Sequence, residues 1–224
     1  MSTSARDGRR RGARKGDARE ADILRTFEAL IATKPAAAIG IDELALGAGI
    51  SRSAFYFYFA SKDAVLTALL ADLEESLLAE NADWYDGGAA EPALRRSLEH
   101  GVALWSARGP LLRLIYQSDD VPEPVRRFRA RIRERATRLT TERIERERAA
   151  GRAPAGPPSA AGLASALIQL RTGTLSDAFA PAVTPDVPLD AVALVDDLLA
   201  TMLRLLYGSV DRGLRLDPDP AATG

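Results

Sequence analysis

The stretch at residues 41–62, IDELALGAGISRSAFYFYFASK, constrains the fold more than any other part of the sequence. The apolar residues around Leu44 recur at helical spacing and predict a first short helix. Phe55 and Phe59 lie four residues apart, so they share one face of a second helix. Gly49 stands between the two, where a residue without Cβ can enter positive φ at little cost. The stretch therefore predicts a helix-turn-helix, a motif whose second helix enters a DNA major groove.

The second helix of this motif has several side chains that can contact DNA. Ser51 is a typical N-cap, and first-turn side chains reach base edges, where Arg to guanine is the commonest specific contact. Long tyrosine side chains suit phosphates or a thymine methyl group, and a lysine beside a helix N-terminus suits phosphate. The predicted DNA contacts are Ser51, Arg52, Ser53, Tyr56, Tyr58 and Lys62. The alternative is an aromatic core cluster, but the five aromatic residues of FYFYF cannot all face inward on one helix.

SRSAFYFYFASKDAVL resembles the recognition helix and the start of the fourth helix in the TetR family of bacterial transcriptional repressors. The shared pattern is a Ser N-cap, an apolar residue, Tyr-x-Tyr/His-Phe, then Ser-Lys and an acidic residue, and the resemblance extends over roughly residues 20–70. ALGAGISRSAFYFYFASKDAVL, with ERERAAGRAP and ASALIQLRTGTLSDAFA more weakly, is similar to a mycobacterial subgroup of that family. Gly40 stands where the family often has Ser or Thr, so the resemblance implies a phosphate contact from its backbone N–H.

The resemblance also implies an all-α fold of about nine helices. An N-terminal three-helix helix-turn-helix domain would precede a C-terminal helical domain that binds a ligand and dimerises. We expect a disordered basic arm at 1–19, the DNA-binding domain at 20–66, the ligand-binding and dimerisation domain at 67–210, and a disordered tail at 211–224. The last two helices would form the interface of a homodimer, and Leu199 and Leu203 are the leucines we expect there.

Charge is distributed unevenly along the chain. Residues 1–62 contain eleven Lys and Arg against seven Asp and Glu, a net charge of +4, whereas the whole chain has −1. A basic end on an acidic body is typical of a DNA reader joined to a regulatory domain. The Arg-rich arm either touches phosphate or the minor groove beside the main site, or serves as a solubilising leader.

Composition excludes several kinds of site. The chain has no cysteine, which rules out disulfides, thiol catalysis and Cys-based zinc sites. Its one histidine, His100, has no metal-ligand motif around it, and no apolar run reaches the roughly 18 residues that span a bilayer. We therefore expect a cytoplasmic protein without catalytic residues, metal, cofactor or membrane partner.

The resemblance implies a small-molecule inducer held in an apolar tunnel among the middle helices. The candidate lining residues are Trp105, Tyr116, Phe128, Ile132, Ile168, Arg171 and Phe179. Most are residue types that also fill ordinary cores, and Arg171 or Arg135 would favour a ligand with an acidic or carbonyl end.

The predicted function is sequence-specific repression from a palindromic operator in double-stranded DNA, with release by a small apolar or amphipathic ligand. The alternatives are an architectural or ligand-independent DNA-binding regulator, and a helical enzyme or lipid carrier. No catalytic motif assembles for the enzyme.

Overall fold

The computed structural model describes residues 4–79, 81–180 and 189–208, with side chains from residue 16 onward. Within these ranges it contains α-helices, one short 3₁₀ helix and no strand, which confirms the predicted all-α class. The elements are α1 (Ser4–Ile31), the 3₁₀ helix η1 (Ala36–Ala38), α2 (Ile41–Gly47), α3 (Arg52–Tyr58), α4 (Lys62–Ala79), α5 (Ala82–Tyr85), α6 (Ala90–Tyr116), α7 (Glu123–Ala149), α8 (Ala160–Ala178) and α9 (Ala191–Tyr207).

The chain divides into two compact units whose boundary differs from the predicted one. The N-terminal unit comprises Met1–Ser76 and Arg108–Arg129, and the C-terminal unit comprises Leu77–Ala107 and Ala130–Gly224. Helix α6 is kinked at Arg108, which has φ −122° and ψ 28°, just before Pro110. Proline has no N–H to donate and clashes with the preceding turn, which explains the kink. The part of α6 after the kink belongs to the N-terminal unit.

The helix-turn-helix is built as the sequence predicts. Gly49 has φ +65°, the left-handed conformation in which a side chain would be strained. Helix α2 packs against α1 and α3, and a Cβ built on Gly47 would lie 2.4 Å from Thr26 Cγ2. Glycine at position 47 therefore permits the close approach of α1 and α2.

Helix α1 begins at Ser4, so the structure differs from the prediction of a disordered arm at residues 1–19. Alanine, arginine and lysine are good helix formers, and they dominate this segment between its glycines. The helix leads without a break to Ile23 and Phe27, which are fully buried. An apolar periodicity cannot reveal such an extension, because the extension has no apolar face. The predicted tail at 211–224 lies outside the described residues.

The C-terminal unit has one apolar cluster formed by α5 to α9. Its buried members are Trp84, Ala93, Leu94, Leu98, Ile144, Ala160, Leu163, Ala164, Leu167, Val195, Leu198, Leu199, Met202, Leu203 and Leu206. Leu199 and Leu203, which we expected at a dimer interface, are 1% and 4% exposed within the single chain. They pack in the chain's own apolar cluster and not on its surface.

Candidate nucleic-acid interface

Helix α3 is short, and its orientation is fixed by a cap and by two buried rings. The Ser51 Oγ accepts a hydrogen bond from the Ala54 N–H at 3.2 Å, which satisfies one free donor of the first turn. Phe55 is fully buried and Phe59 is 7% exposed. One side of α3 is therefore held against the domain, and the opposite side faces solvent.

The outward side of α3 follows from the roughly 100° that separates successive residues on a helix. Arg52, Ser53 and Tyr56 are exposed, as predicted for residues that reach DNA. Tyr58 lies on the flank and is partly buried. Phe57 points about opposite to the buried rings and is 85% exposed. Phe57 is not among the predicted DNA contacts, because those were assigned to hydroxyl and charged groups without a helical projection of the FYFYF run.

Arg52 is oriented by two neighbours in this structure. Its Nη1 donates to Asp42 Oδ2 at 2.7 Å, and its guanidinium carbon lies 6.0 Å from the Tyr56 ring centre. The hydrogen bond to Asp42 raises the pKa of Arg52, with a smaller effect from Tyr56. Because this ion pair is solvent-exposed, it is weak and can exchange for a base or phosphate. Asp42 is a second residue near the candidate interface that is not among the predicted DNA contacts.

The Gly40 N–H, a predicted phosphate donor, has a partner in the protein. Gly40 is the N-cap of α2, and its N–H donates to Glu43 Oε2 at 2.9 Å. Glu43 also pairs with Lys34. The hydrogen bond from Lys34 and then that from Gly40 lower the pKa of Glu43, which keeps the carboxylate charged. A phosphate at this N–H would have to displace the Glu43 carboxylate.

Lys62 lies at the start of α4, but its ammonium group points to the protein backbone. Its Nζ donates to the carbonyl oxygens of Ala36 at 2.8 Å, Ala37 at 3.1 Å and Ile39 at 3.0 Å. An ammonium group has three N–H donors, so these contacts use all of them. Lys62 therefore fastens η1 to the start of α4, which differs from the direct phosphate contact that we predicted. A local sequence pattern cannot show these partners.

The candidate ligand residues are divided between the two units. Tyr116 and Phe128 belong to the N-terminal unit, where Phe128 is fully buried. Trp105, Ile132, Ile168, Arg171 and Phe179 belong to the C-terminal unit. Of these, the structure brings Trp105 and Phe179 together, with stacked rings whose centres are 5.7 Å apart and whose planes differ by 16°.

Helices α6 and α8 lie side by side in the turns that precede this stacked pair. A Cβ on Gly101 would lie 2.9 Å from Leu175 Cδ1, so the two helices are in close contact there. One turn earlier, Arg171 Nη2 donates to the Ser97 carbonyl at 3.0 Å, and its Nη1 donates to Asn81 Oδ1 at 2.9 Å. The contact thus has an aromatic end and a cationic, hydrogen-bonding end.

Tyr85 adds a phenol group near this cationic end. Burial raises the pKa of Tyr85, and the nearby Arg171 charge and a hydrogen bond with Thr140 oppose that rise. Thr140 and Ser97 are buried as well. The Arg171 guanidinium thus donates to an amide oxygen and a backbone carbonyl, and guanidinium groups also bind acidic or carbonyl groups of ligands.

Clustered metal ligands and membrane-spanning helices are both absent from the described ranges. No group of three or more His, Cys, Asp or Glu side chains there could hold a metal ion. None of the helices in that part of the chain is long and apolar enough to cross a membrane.

Comparisons with known proteins match both parts of the chain. The profile of bacterial regulatory proteins of the tetR family matches residues 23–69. The profile of the C-terminal domain of transcriptional regulator EthR matches residues 94–208. The HTH-type transcriptional regulator EthR of Mycolicibacterium smegmatis is 33% identical over 211 residues, which are 92% of this chain and 94% of that protein.

Solved structures share the fold. AibR in complex with isovaleryl coenzyme A and operator DNA has a TM-score of 0.62 at 14% identity, over 86% of this chain and 100% of that one. FadR from Bacillus subtilis in complex with stearoyl-CoA has a TM-score of 0.64 at 17% identity, over 84% of this chain and 98% of that one. These likenesses agree with the all-α, helix-turn-helix architecture described above.

Proposed function

This chain belongs to the TetR family of bacterial regulatory proteins, with a C-terminal domain of the EthR type, and we propose that it is a ligand-released repressor. The family consists of transcriptional regulators and not of enzymes. The observation that carries the proposal is helix α3, which buries Phe55 and Phe59 and turns Arg52, Ser53 and Tyr56 toward solvent. A regulator that binds bacterial chromosomal DNA works in the cytoplasm.

The first part of the proposal is sequence-specific reading of the major groove by α3. Arg52 leaves Asp42 and donates to guanine O6 and N7, and Ser53 reaches a neighbouring base edge. The tyrosine hydroxyls of positions 56 and 58 donate to phosphates and set the register. Ser51 keeps its cap, and the Gly40 N–H is offered to phosphate if Glu43 moves aside.

Replacing Arg52 with Ala is expected to weaken binding to the preferred DNA site by about 1–3 kcal/mol and to relax preference at one base position. The site is obtained by selecting duplexes from a random library with the purified protein, and affinities follow from fluorescence anisotropy. Arg138→Ala is the matched control, because it removes an exposed arginine of α7 that pairs with Glu142 on the same helix. Equal losses in the two variants would contradict base reading by Arg52.

The second part of the proposal is a homodimer through α8 and α9. One short recognition helix reads few base pairs, so two copies on a palindrome supply the missing specificity. Helix α9 leaves two large apolar side chains exposed, Val192 by 72% in its first turn and Leu205 by 48% in its last turn. Exposed small or short residues lie around Gln169 on α8 and permit close helix approach: Ala161, Gly162, Ser165, Ala166 and Gly173. These exposed parts of α8 and α9 are the proposed interface.

The third part of the proposal is an amphipathic inducer bound between α6 and α8. The support is the aromatic end at Trp105 and Phe179, the cationic end at Arg171, and the acyl-CoA ligands of AibR and FadR. We infer that an acyl chain enters beside the two rings, with Ile132 and Ile168 completing the apolar lining. A ligand here releases DNA only if it favours a conformation that binds DNA poorly.

Medium- and long-chain fatty acids are expected to change Trp105 fluorescence and to lower affinity for the selected duplex at least about tenfold, or about 1.4 kcal/mol. The measurement uses Trp84→Phe, which leaves Trp105 as the single tryptophan. Arg171→Met should remove the preference for free acids over methyl esters, whereas Arg138→Met should retain it. If no acid, ester or acyl-CoA alters fluorescence or DNA binding, the ligand-independent alternative is the better description.

A further inference from the structure

Phe57 is a large apolar side chain that the folded domain leaves in water. It is 85% exposed, and Leu46 on α2, at 82%, is the described large apolar residue with the most similar exposure. On a helix of 3.6 residues per turn, position 57 lies about opposite to the direction in which Phe55 and Phe59 are buried. Phe57 therefore points away from the domain, from the side of α3 that would face the DNA.

We propose that Phe57 is a specificity-determining residue that packs on the C5-methyl group of a thymine in the major groove. The inference rests on the proposed DNA-binding function and adds a base contact to it. Thymine alone presents an apolar group on the major-groove edge, whereas the other bases present hydrogen-bonding groups there. A phenyl ring does not donate a hydrogen bond to a base edge, so it distinguishes thymine from the other bases by contact with the methyl group.

The position of the ring is held by its neighbour. The Phe57 and Tyr58 rings meet edge to face, with centres 5.3 Å apart and planes at 84°. Tyr58 is partly buried, so this contact limits how Phe57 can swing. A restrained ring loses little conformational freedom when it packs on DNA.

The distance along the helix places the thymine relative to the other base contacts. Phe57 lies one turn after Ser53, which is about 6 Å along the helix axis. Stacked base pairs are about 3.4 Å apart, and 6 Å along α3 spans at most about two such steps, so the thymine lies within about two base pairs of the base that the first turn reads. The selected half-site should therefore contain an A·T pair within that distance.

Substitution of deoxyuridine for thymidine tests the proposal, because it removes the methyl group and leaves the hydrogen-bonding edge unchanged. Each thymidine of the selected palindrome is replaced in turn, symmetrically in both half-sites, and affinities of the full-length protein are measured at one salt concentration. We expect one symmetric replacement to weaken wild-type binding roughly ten- to twenty-fold, about three- to five-fold for each methyl group. Replacements elsewhere should have smaller effects.

The protein variants isolate the residue that senses the methyl group. Phe57→Ala should bind the thymidine duplex more weakly and should not distinguish it from the deoxyuridine duplex, and Phe57→Leu should keep part of the difference. Leu46→Ala is the matched control, since it removes a similarly exposed apolar side chain from α2, and it should keep the full difference.

The proposal is overturned if Phe57→Ala retains the wild-type ratio between the thymidine and deoxyuridine duplexes. Weaker binding to both duplexes at an unchanged ratio would indicate that Phe57 contacts the DNA backbone. Phe57 is exposed, so its variants should melt at the wild-type temperature. If the wild-type protein enriches no duplex from the library, the proposed function itself fails, and that result is distinct from a missing methyl effect.

Discussion

The double variant Leu199→Glu/Leu203→Glu is expected to unfold the C-terminal unit. Both leucines are almost fully buried in the apolar cluster of that unit. Burying an ionised carboxylate without a partner costs several kcal/mol, and a whole domain is stable by only about 5–15 kcal/mol. Circular dichroism should show loss of much of the helical signal at 25 °C, or a melting temperature reduced by more than about 10 °C.

The double variant Val192→Glu/Leu205→Glu is the matched comparison on the same helix. Both residues are exposed in the single chain, so the same change in charge should leave the helical signal and the fold intact. Sedimentation should instead show a folded monomer with weakened operator binding. If this variant stays a dimer, Val192 and Leu205 are not part of the interface. If Leu199→Glu/Leu203→Glu stays folded and becomes monomeric, the inner face of α9 is the interface after all.

Lys62→Met is expected to destabilise the N-terminal unit by on the order of 3 kcal/mol. Its ammonium group donates three hydrogen bonds to backbone carbonyls around η1, and hydrogen bonds from charged groups contribute about 1.5–3 kcal/mol each without being additive. Methionine keeps most of the apolar stem, so the loss isolates the ammonium group. Chemical denaturation of the variant and the wild type provides the measurement.

Lys34→Met is the control variant for Lys62→Met. Lys34 forms an ion pair with the solvent-exposed Glu43, and such pairs contribute at most about 1 kcal/mol. The dependence of operator affinity on salt separates the two roles of Lys62, because each lost phosphate contact reduces the slope by about one unit. If Lys62→Met has the stability of the wild type and a reduced salt slope, Lys62 contacts phosphate, as the sequence predicts, and does not stabilise the fold.

The helix-turn-helix could be predicted from sequence because its determinants are local. The four-residue spacing of Phe55 and Phe59 fixes the buried face of α3, and Gly49 fixes the turn. The same spacing also fixes the direction of Phe57, so that residue was within reach of a helical projection. The pairing of Arg52 with Asp42 was not, since it depends on the angle between two helices.

The remaining differences between the sequence-based predictions and the structure concern contacts between distant parts of the chain. Pro110 accounts for the kink of α6, but no local pattern shows that 108–129 joins the N-terminal unit. The leucines of α9 recur at helical spacing, yet periodicity cannot tell which of them face the chain's own core. Lys62 reaches carbonyls more than twenty residues earlier, which only the packing of η1 against α4 reveals.

Sequence-specific recognition by α3 is tested most directly by comparing the binding of the wild-type protein to the selected palindrome and to a scrambled duplex of equal length and composition. Both affinities are measured by fluorescence anisotropy at about 0.15 M salt, because nonspecific binding depends strongly on salt. Reading of base edges by two α3 helices predicts a preference of at least about 10³-fold, with two chains on each palindrome. Equal affinity for the two duplexes would contradict sequence-specific recognition by α3.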